Sequence, residues 1–163
     1  MWTFVGARKH KVWLWLAVER ESRRIVAWVP GDRSRATARR LWQQLPAHWR
    51  GPRCWYFTDL WESYVGVLPR WQHRRSPKGS GGTSIVEAIN CALRQRCGVV
   101  VRKSCSFSKC IQMHFARIKF VIEHHSLNII PCMIALPYLE GSRKRKRGHR
   151  LSLNAALWRR RCK

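Results

Sequence analysis

The stretch VWLWLAV, residues 12–18, is an unbroken apolar run between Lys11 and Glu19. A run of that length without polar alternation is the pattern of a strand covered on both faces. Glu19 to Arg24 then supplies a polar hairpin turn, and IVAWV, residues 25–29, reads as the returning strand, closed by Pro30 and Gly31. Working backwards, Phe4 and Val5 lead as a shorter strand into Gly6 and the basic turn Arg8, Lys9, His10, Lys11. Three antiparallel strands in succession follow from this reading.

Downstream, the periodicity changes from strand to helix. Ala38, Leu41, Trp42 and Leu45 recur at helical spacing from a start near Ser34, and Pro46 halts them. Cys54 to Phe57 reads as a fourth strand ending at Thr58 and Asp59, with a short helix over Tyr64 to Leu68 and a loop at residues 76–82. Ser84 and Glu87 fit a capping box. Beyond it Ile85, Val86, Ile89 and Leu93 share one helix face, with Glu87, Asn90 and Arg94 opposite, and Gly98 ends the helix. The element order predicts an α/β layer fold: a mixed sheet in which three antiparallel strands are joined by a later parallel one, with helices on its faces. That order is shared with ribonuclease H-like proteins.

Charge narrows the function. Among 163 residues, 33 Lys and Arg stand against eight Asp and Glu, a net charge of +25. Such a balance argues against an ordinary neutral metabolic enzyme and for a polyanionic partner, nucleic acid first and an anionic membrane surface second. The stretch MWTFVGARKHKVW does not show the basic lead, apolar run and small-residue cleavage site of a secretory signal, so none is expected. The most apolar long segment, residues 120–139, is interrupted by Glu123, His124, His125, Pro131 and Pro137, which argues against a membrane span. Seven cysteines, an odd number without a CxxC pair, read as free thiols in a reducing cytosol, with a disulfide framework as the alternative. Residues 141–163 carry ten Lys or Arg and no acid. We therefore expect two parts: a catalytic-type domain over residues 1–125 and a basic, irregular C-terminal extension over 126–163.

Acid-dependent chemistry must draw on a short list: Asp32, Asp59 and Glu19, Glu21, Glu62, Glu87, Glu123 and Glu140. Asp59 follows directly on an apolar strand, where ligand sites of open α/β sheets collect; it equally suits a turn after Thr58. Glu87 is either a site carboxylate or the closing half of its capping box. Arg94, two turns along the same helix, is a phosphate contact or part of a solvated basic face. The segment RKSCSFSK, Arg102 to Lys109, mixes cations, hydroxyls and one aromatic, a combination that suits phosphate contact or an ordinary basic loop.

Phe4, Val5, Gly6, Arg8 and Lys9, with Trp13, Trp15 and Ala17, resemble the opening of the catalytic domain of insertion-sequence-one family transposases. The resemblance continues through Gly31 and Arg33, then Thr58, Asp59, Trp61 and Tyr64. It is densest in VEAINCALRQRC (Val86 to Cys97) and RKSCSFSK, with His114 just beyond, and covers roughly residues 2–125. It implies a DDE-type transposase with a ribonuclease H-like core. Asp59 would be the second catalytic Asp, Glu87 the final Glu, both holding Mg²⁺ (or Mn²⁺), and Arg94 the basic residue beyond. Arg94, Arg96, Arg102, Lys103 and Lys109 would contact DNA.

The implied reaction is nicking at terminal inverted repeats and transfer of the freed 3′-hydroxyl into target DNA. Partners would be double-stranded DNA, an upstream-encoded DNA-recognition protein of the same element and further copies of the chain, in a prokaryotic, nucleoid-associated, cytoplasmic setting without membrane. In the family the first catalytic Asp lies immediately before the segment that here begins at Trp2. The first strand is thus expected to be incomplete and catalysis impaired; the alternative is a non-enzymatic DNA-binding remnant.

Overall fold

Burial of the second strand organises the molecule. In the computed structural model, which describes residues 1–77, 79–101, 107–134 and 150–154, Leu14 to Val18 are wholly inaccessible to solvent. The strands are β1 (Trp2–Phe4), β2 (Lys11–Glu19), β3 (Ile25–Gly31), β4 (Trp55–Thr58), β5 (His73–Arg75) and β6 (Arg150–Asn154). The helices are α1 (Arg35–Gln44), α2 (Ser84–Arg96) and α3 (Ile111–Ile134). All six strands form one sheet.

β2 is antiparallel to β3 on one side and to both β1 and β6 on the other, while β6 runs parallel to β4, and β4 parallel to β5. Alternation along β2 sends Trp15 and Ala17 to one face, where Ala38 and Leu41 of α1 and Leu45 at its C-terminal cap meet them. Leu14, Leu16 and Val18 go to the other, against Val86, Ile89 and Leu93 of α2 and Ile118 and Ile122 of α3. The mixed α/β arrangement with helices on both faces is as expected. One connection differs: β4 is not hydrogen-bonded to β1 directly but reaches β2 through β6.

α1 starts as its sequence predicts. The Ser34 hydroxyl caps it by accepting from the Thr37 backbone N–H at 3.3 Å. Asp32 braces that cap: its Oδ1 accepts from the Ser34 N–H, the Ser34 hydroxyl and the Thr37 hydroxyl at 3.0, 2.5 and 2.6 Å. Those three donors hold the carboxyl down at about 2.

Several expectations are corrected. The capping box does not form, because α2 is capped at Thr83 without a side-chain bond and the Ser84 hydroxyl donates to the Gly81 carbonyl at 2.9 Å. The Tyr64–Leu68 helix is instead a single 3-10 turn over Glu62–Tyr64. The boundary at residue 125 falls inside α3, and residues 150–154 of the extension expected to be irregular form a sheet strand. α3 escapes a simple apolar reading because its inward positions are His114, Ile118, Ile122 and His125, half of them imidazoles.

Cys54 and Cys97 are buried and Cys91 and Cys110 exposed, all four as free thiols. Among the described residues no helix is long and apolar enough to cross a membrane.

Candidate active site at the end of the fourth strand

β4 delivers Asp59 to the carboxyl end of the sheet. Its last residue, Thr58, is fully buried, and the Thr58 hydroxyl donates to the Asp59 carbonyl at 2.8 Å. That hydroxyl has one proton, so its 2.7 Å contact with His73 Nε2 makes the imidazole the donor. Burial, with Arg75 nearby, lowers the His73 pKa and keeps the ring neutral for this role. The chain His73–Thr58–Asp59 thus fixes the backbone that carries the carboxylate, whose Oδ1 accepts from the Trp61 N–H at 3.2 Å.

Burial dominates the electrostatics of Asp59 and pushes its carboxyl above its ordinary value. The Trp61 N–H, Arg33, the amino terminus at Met1 and Arg75 pull the other way. Arg33 is itself clamped. Its guanidinium lies over the rings of Trp61 and Trp13, and its backbone carbonyl accepts from Trp61 Nε1 at 3.3 Å and from the Ser63 hydroxyl at 2.6 Å. Arg75 is pinned by a 2.5 Å bond from its Nη2 to the Leu60 carbonyl. The result is a half-buried carboxylate at a strand end among positive groups held in place.

The remaining candidates are less concentrated. Glu87 is exposed in the first turn of α2, and no hydrogen bond or ion pair joins it to Asp59 among the described residues. Asn90, one turn on, is not on a solvated stripe as the pattern predicts but buried, and its amide nitrogen and oxygen have no hydrogen-bond partner among the described residues. Arg94 is half-buried. Arg96 is exposed but turned toward α3, with its Nη1 3.2 Å from His125 Nδ1. Lys109 is exposed, and Arg102 and Lys103 lie outside the described residues. The end of their segment is anchored: the Ser108 carbonyl accepts from the Gly6 N–H at 2.8 Å, and Phe107 packs on Phe4.

Sequence reasoning missed Arg33, Trp61, His73 and Arg75 as parts of the Asp59 environment. A signal existed for the first two in the tryptophan-rich flanks, but only the tertiary fold brings residues 33, 59 and 75 together. It also missed an open groove between α2 and α3 lined by Arg96, Val99, Arg117 and Phe120.

These features define a strongly basic mixed α/β protein with an acidic site where a sheet strand ends. Comparison with known proteins makes the class specific. The family model for IS1 transposase matches residues 1–128. Insertion element IS1 protein InsB of Shigella flexneri is 36% identical over 113 residues, 69% of this chain and 82% of that protein. The iso-IS1n InsB of Shigella dysenteriae is 31% identical over 124 residues, 76% of this chain and 90% of its own length. The IS1 4 InsB of Escherichia coli K12 is 34% identical over 113 residues, and this chain spans 64% of it. The chain belongs to the IS1 transposase family. No solved structure matches it.

Proposed function

We propose that this chain is the DNA-cutting and strand-transferring part of an insertion-sequence transposase, on a ribonuclease H-like core, with Asp59 and Glu87 as its acidic pair. The observation that carries the reading is the setting of Asp59: a half-buried carboxylate presented at the end of β4 within a chain whose family is that of IS1 transposases. Carboxylate oxygens are the donor type that Mg²⁺ or Mn²⁺ takes, and Mg²⁺ sites use one or two of them with water and substrate phosphate completing the shell. Asp59 and Glu87 fit such a role by chemistry. When bound, a divalent ion would activate the attacking oxygen and stabilise the leaving one.

The protein's own groups have definable tasks. The Trp61 N–H orients one oxygen of Asp59, and Thr58 with His73 fixes the backbone that carries it. Arg33 and Arg75 offer positive charge beside Asp59, suited to phosphate oxygens. Lys109, with Arg94 and Arg96, extends the basic surface toward duplex DNA, the terminal inverted repeats and the target.

The test is Mg²⁺- or Mn²⁺-dependent nicking of a duplex carrying the element's ends. We expect Asp59→Asn and Glu87→Gln each to lower the rate at least 100-fold while leaving DNA affinity within about threefold. A rate untouched by both substitutions would end the assignment of the pair.

The positive groups acting on Asp59 also favour a second reading, binding of DNA without cutting. Tight, salt-sensitive binding with no nicking under either metal would select it.

A further inference from the structure

Alternation along β4 divides its side chains between two environments. Tyr56 joins the core on the α1 side of the sheet, so Trp55 and Phe57 face the side on which α2 and α3 pack. Both rings are only partly buried, and neither belongs to the apolar cluster of that side. Each instead carries an arginine. The guanidinium carbon of Arg74 lies 4.4 Å from the ring centre of Trp55, and that of Arg20 lies 4.6 Å from the ring centre of Phe57.

The two arginines come from opposite flanks. Arg74 is on β5, in register with Phe57, and is exposed. Arg20 follows β2, reaches over Phe57 and donates from Nη1 to the carbonyl of Gly82, two residues before α2, at 3.3 Å. Neither forms an ion pair among the described residues. A guanidinium seated on a ring face has its orientation fixed and keeps edge N–H donors for a further acceptor. Trp55 and Phe57 are two residues apart, about 7 Å along a strand, close to the step between neighbouring phosphates of one DNA strand. The same line continues to Asp59, two residues beyond Phe57.

We propose that this arginine–aromatic stripe is a phosphate track, in which Arg74 and Arg20 hold consecutive phosphates of one strand of a DNA duplex and lead it along β4 toward Asp59. The proposal deepens the reading of Asp59 as a DNA-cutting site and rests on that reading for the direction in which the track leads. What sets these two cations apart from the many others on a +25 chain is their seating. Exposed lysines and arginines elsewhere attract DNA from a distance, whereas a stacked guanidinium presents its donors at one fixed place. Contacts of this kind position a duplex without reading its sequence.

The test measures binding of the full-length chain to a short fluorescent duplex of arbitrary sequence across a salt series. Arg20→Gln and Arg74→Gln should each lower the log–log salt slope by about 0.9, the loss of one phosphate contact. Arg39→Gln and Arg40→Gln remove the same charge from exposed positions on α1, on the other side of the sheet, and should leave the slope unchanged. Arg74→Lys, which keeps the charge, should retain the slope. Because Arg20 also ties down Gly82, thermal unfolding is followed in parallel. A lower Tm with an unchanged slope would make the stacks purely structural and overturn the track, and an equal loss of slope in all four glutamine variants would overturn it as diffuse attraction. The expected binding pattern in a chain that does not nick DNA would uphold the track and count only against the reading of Asp59.

Discussion

The guanidinium carbon of Arg33 lies 3.4 Å from the ring centre of Trp61 and 4.7 Å from that of Trp13. Between two indoles, a delocalised planar cation is held better than a compact ammonium. Its Nε and Nη2 are buried and make no hydrogen bond among the described residues, so stacking and the field of Asp59 are what hold it. We expect Arg33→Lys to cost about 1–2 kcal/mol in urea unfolding and to raise the Asp59 pKa further. Carboxyl-carbon NMR titration reads the second effect; a lower Asp59 pKa in the variant would contradict the role given to Arg33.

Asp59→Asn separates stability from activity. Burial raises the folded-state pKa of Asp59 above its unfolded value. The folded chain therefore holds that proton more tightly, and stability falls as pH climbs from the unfolded pKa through the folded one. At neutral pH the aspartate destabilises the fold, so Asn should raise Tm, by up to about 2–4 °C if roughly 1 kcal/mol is recovered. The gain should vanish below the carboxylate range. A Tm that drops at pH 7 would show that the attraction of Arg33, Arg75 and the amino terminus outweighs burial.

Asp32 runs the opposite way. Its depressed pKa, about 2, means that its contribution is present above the unfolded value and fades as pH falls through about 2. Asp32→Ala should cost about 1 kcal/mol at pH 7, the scale of a lost helix cap, with its exposure limiting any larger effect through solvent screening. Urea titrations at pH 7 and pH 2 measure it, and an equal loss at both would show that the ionised carboxylate is not what matters.

Duplex binding should weaken steeply with salt, since a +25 chain that neutralises phosphates releases counterions. Removing one phosphate contact lowers the log–log slope by about 0.9. Lys109→Ala, at an exposed position, should do this equally for any duplex sequence. A loss confined to one sequence would make Lys109 a base reader instead.

Short-range pattern carried the β2–β3 hairpin, α1 and the core face of α2, because each buries a regular stripe: Trp15 and Ala17, Ala38 and Leu41, Ile89 and Leu93. Asp59 was legible for the same reason, standing where an apolar strand stops. What the sequence hid are relationships between distant segments. His114 and His125 disguise the inward stripe of α3, RLSLN sits in a basic stretch with nothing local to announce its partners, and Arg33, Arg75 and Asp59 are neighbours only through the sheet. Asn90 misled because helical spacing places it beside Glu87 without revealing that the core closes over it.

With β6 between them, β4 and β2 share no direct ladder, so the strand that leads to Asp59 is joined to the apolar centre of the sheet through a segment remote in sequence from both.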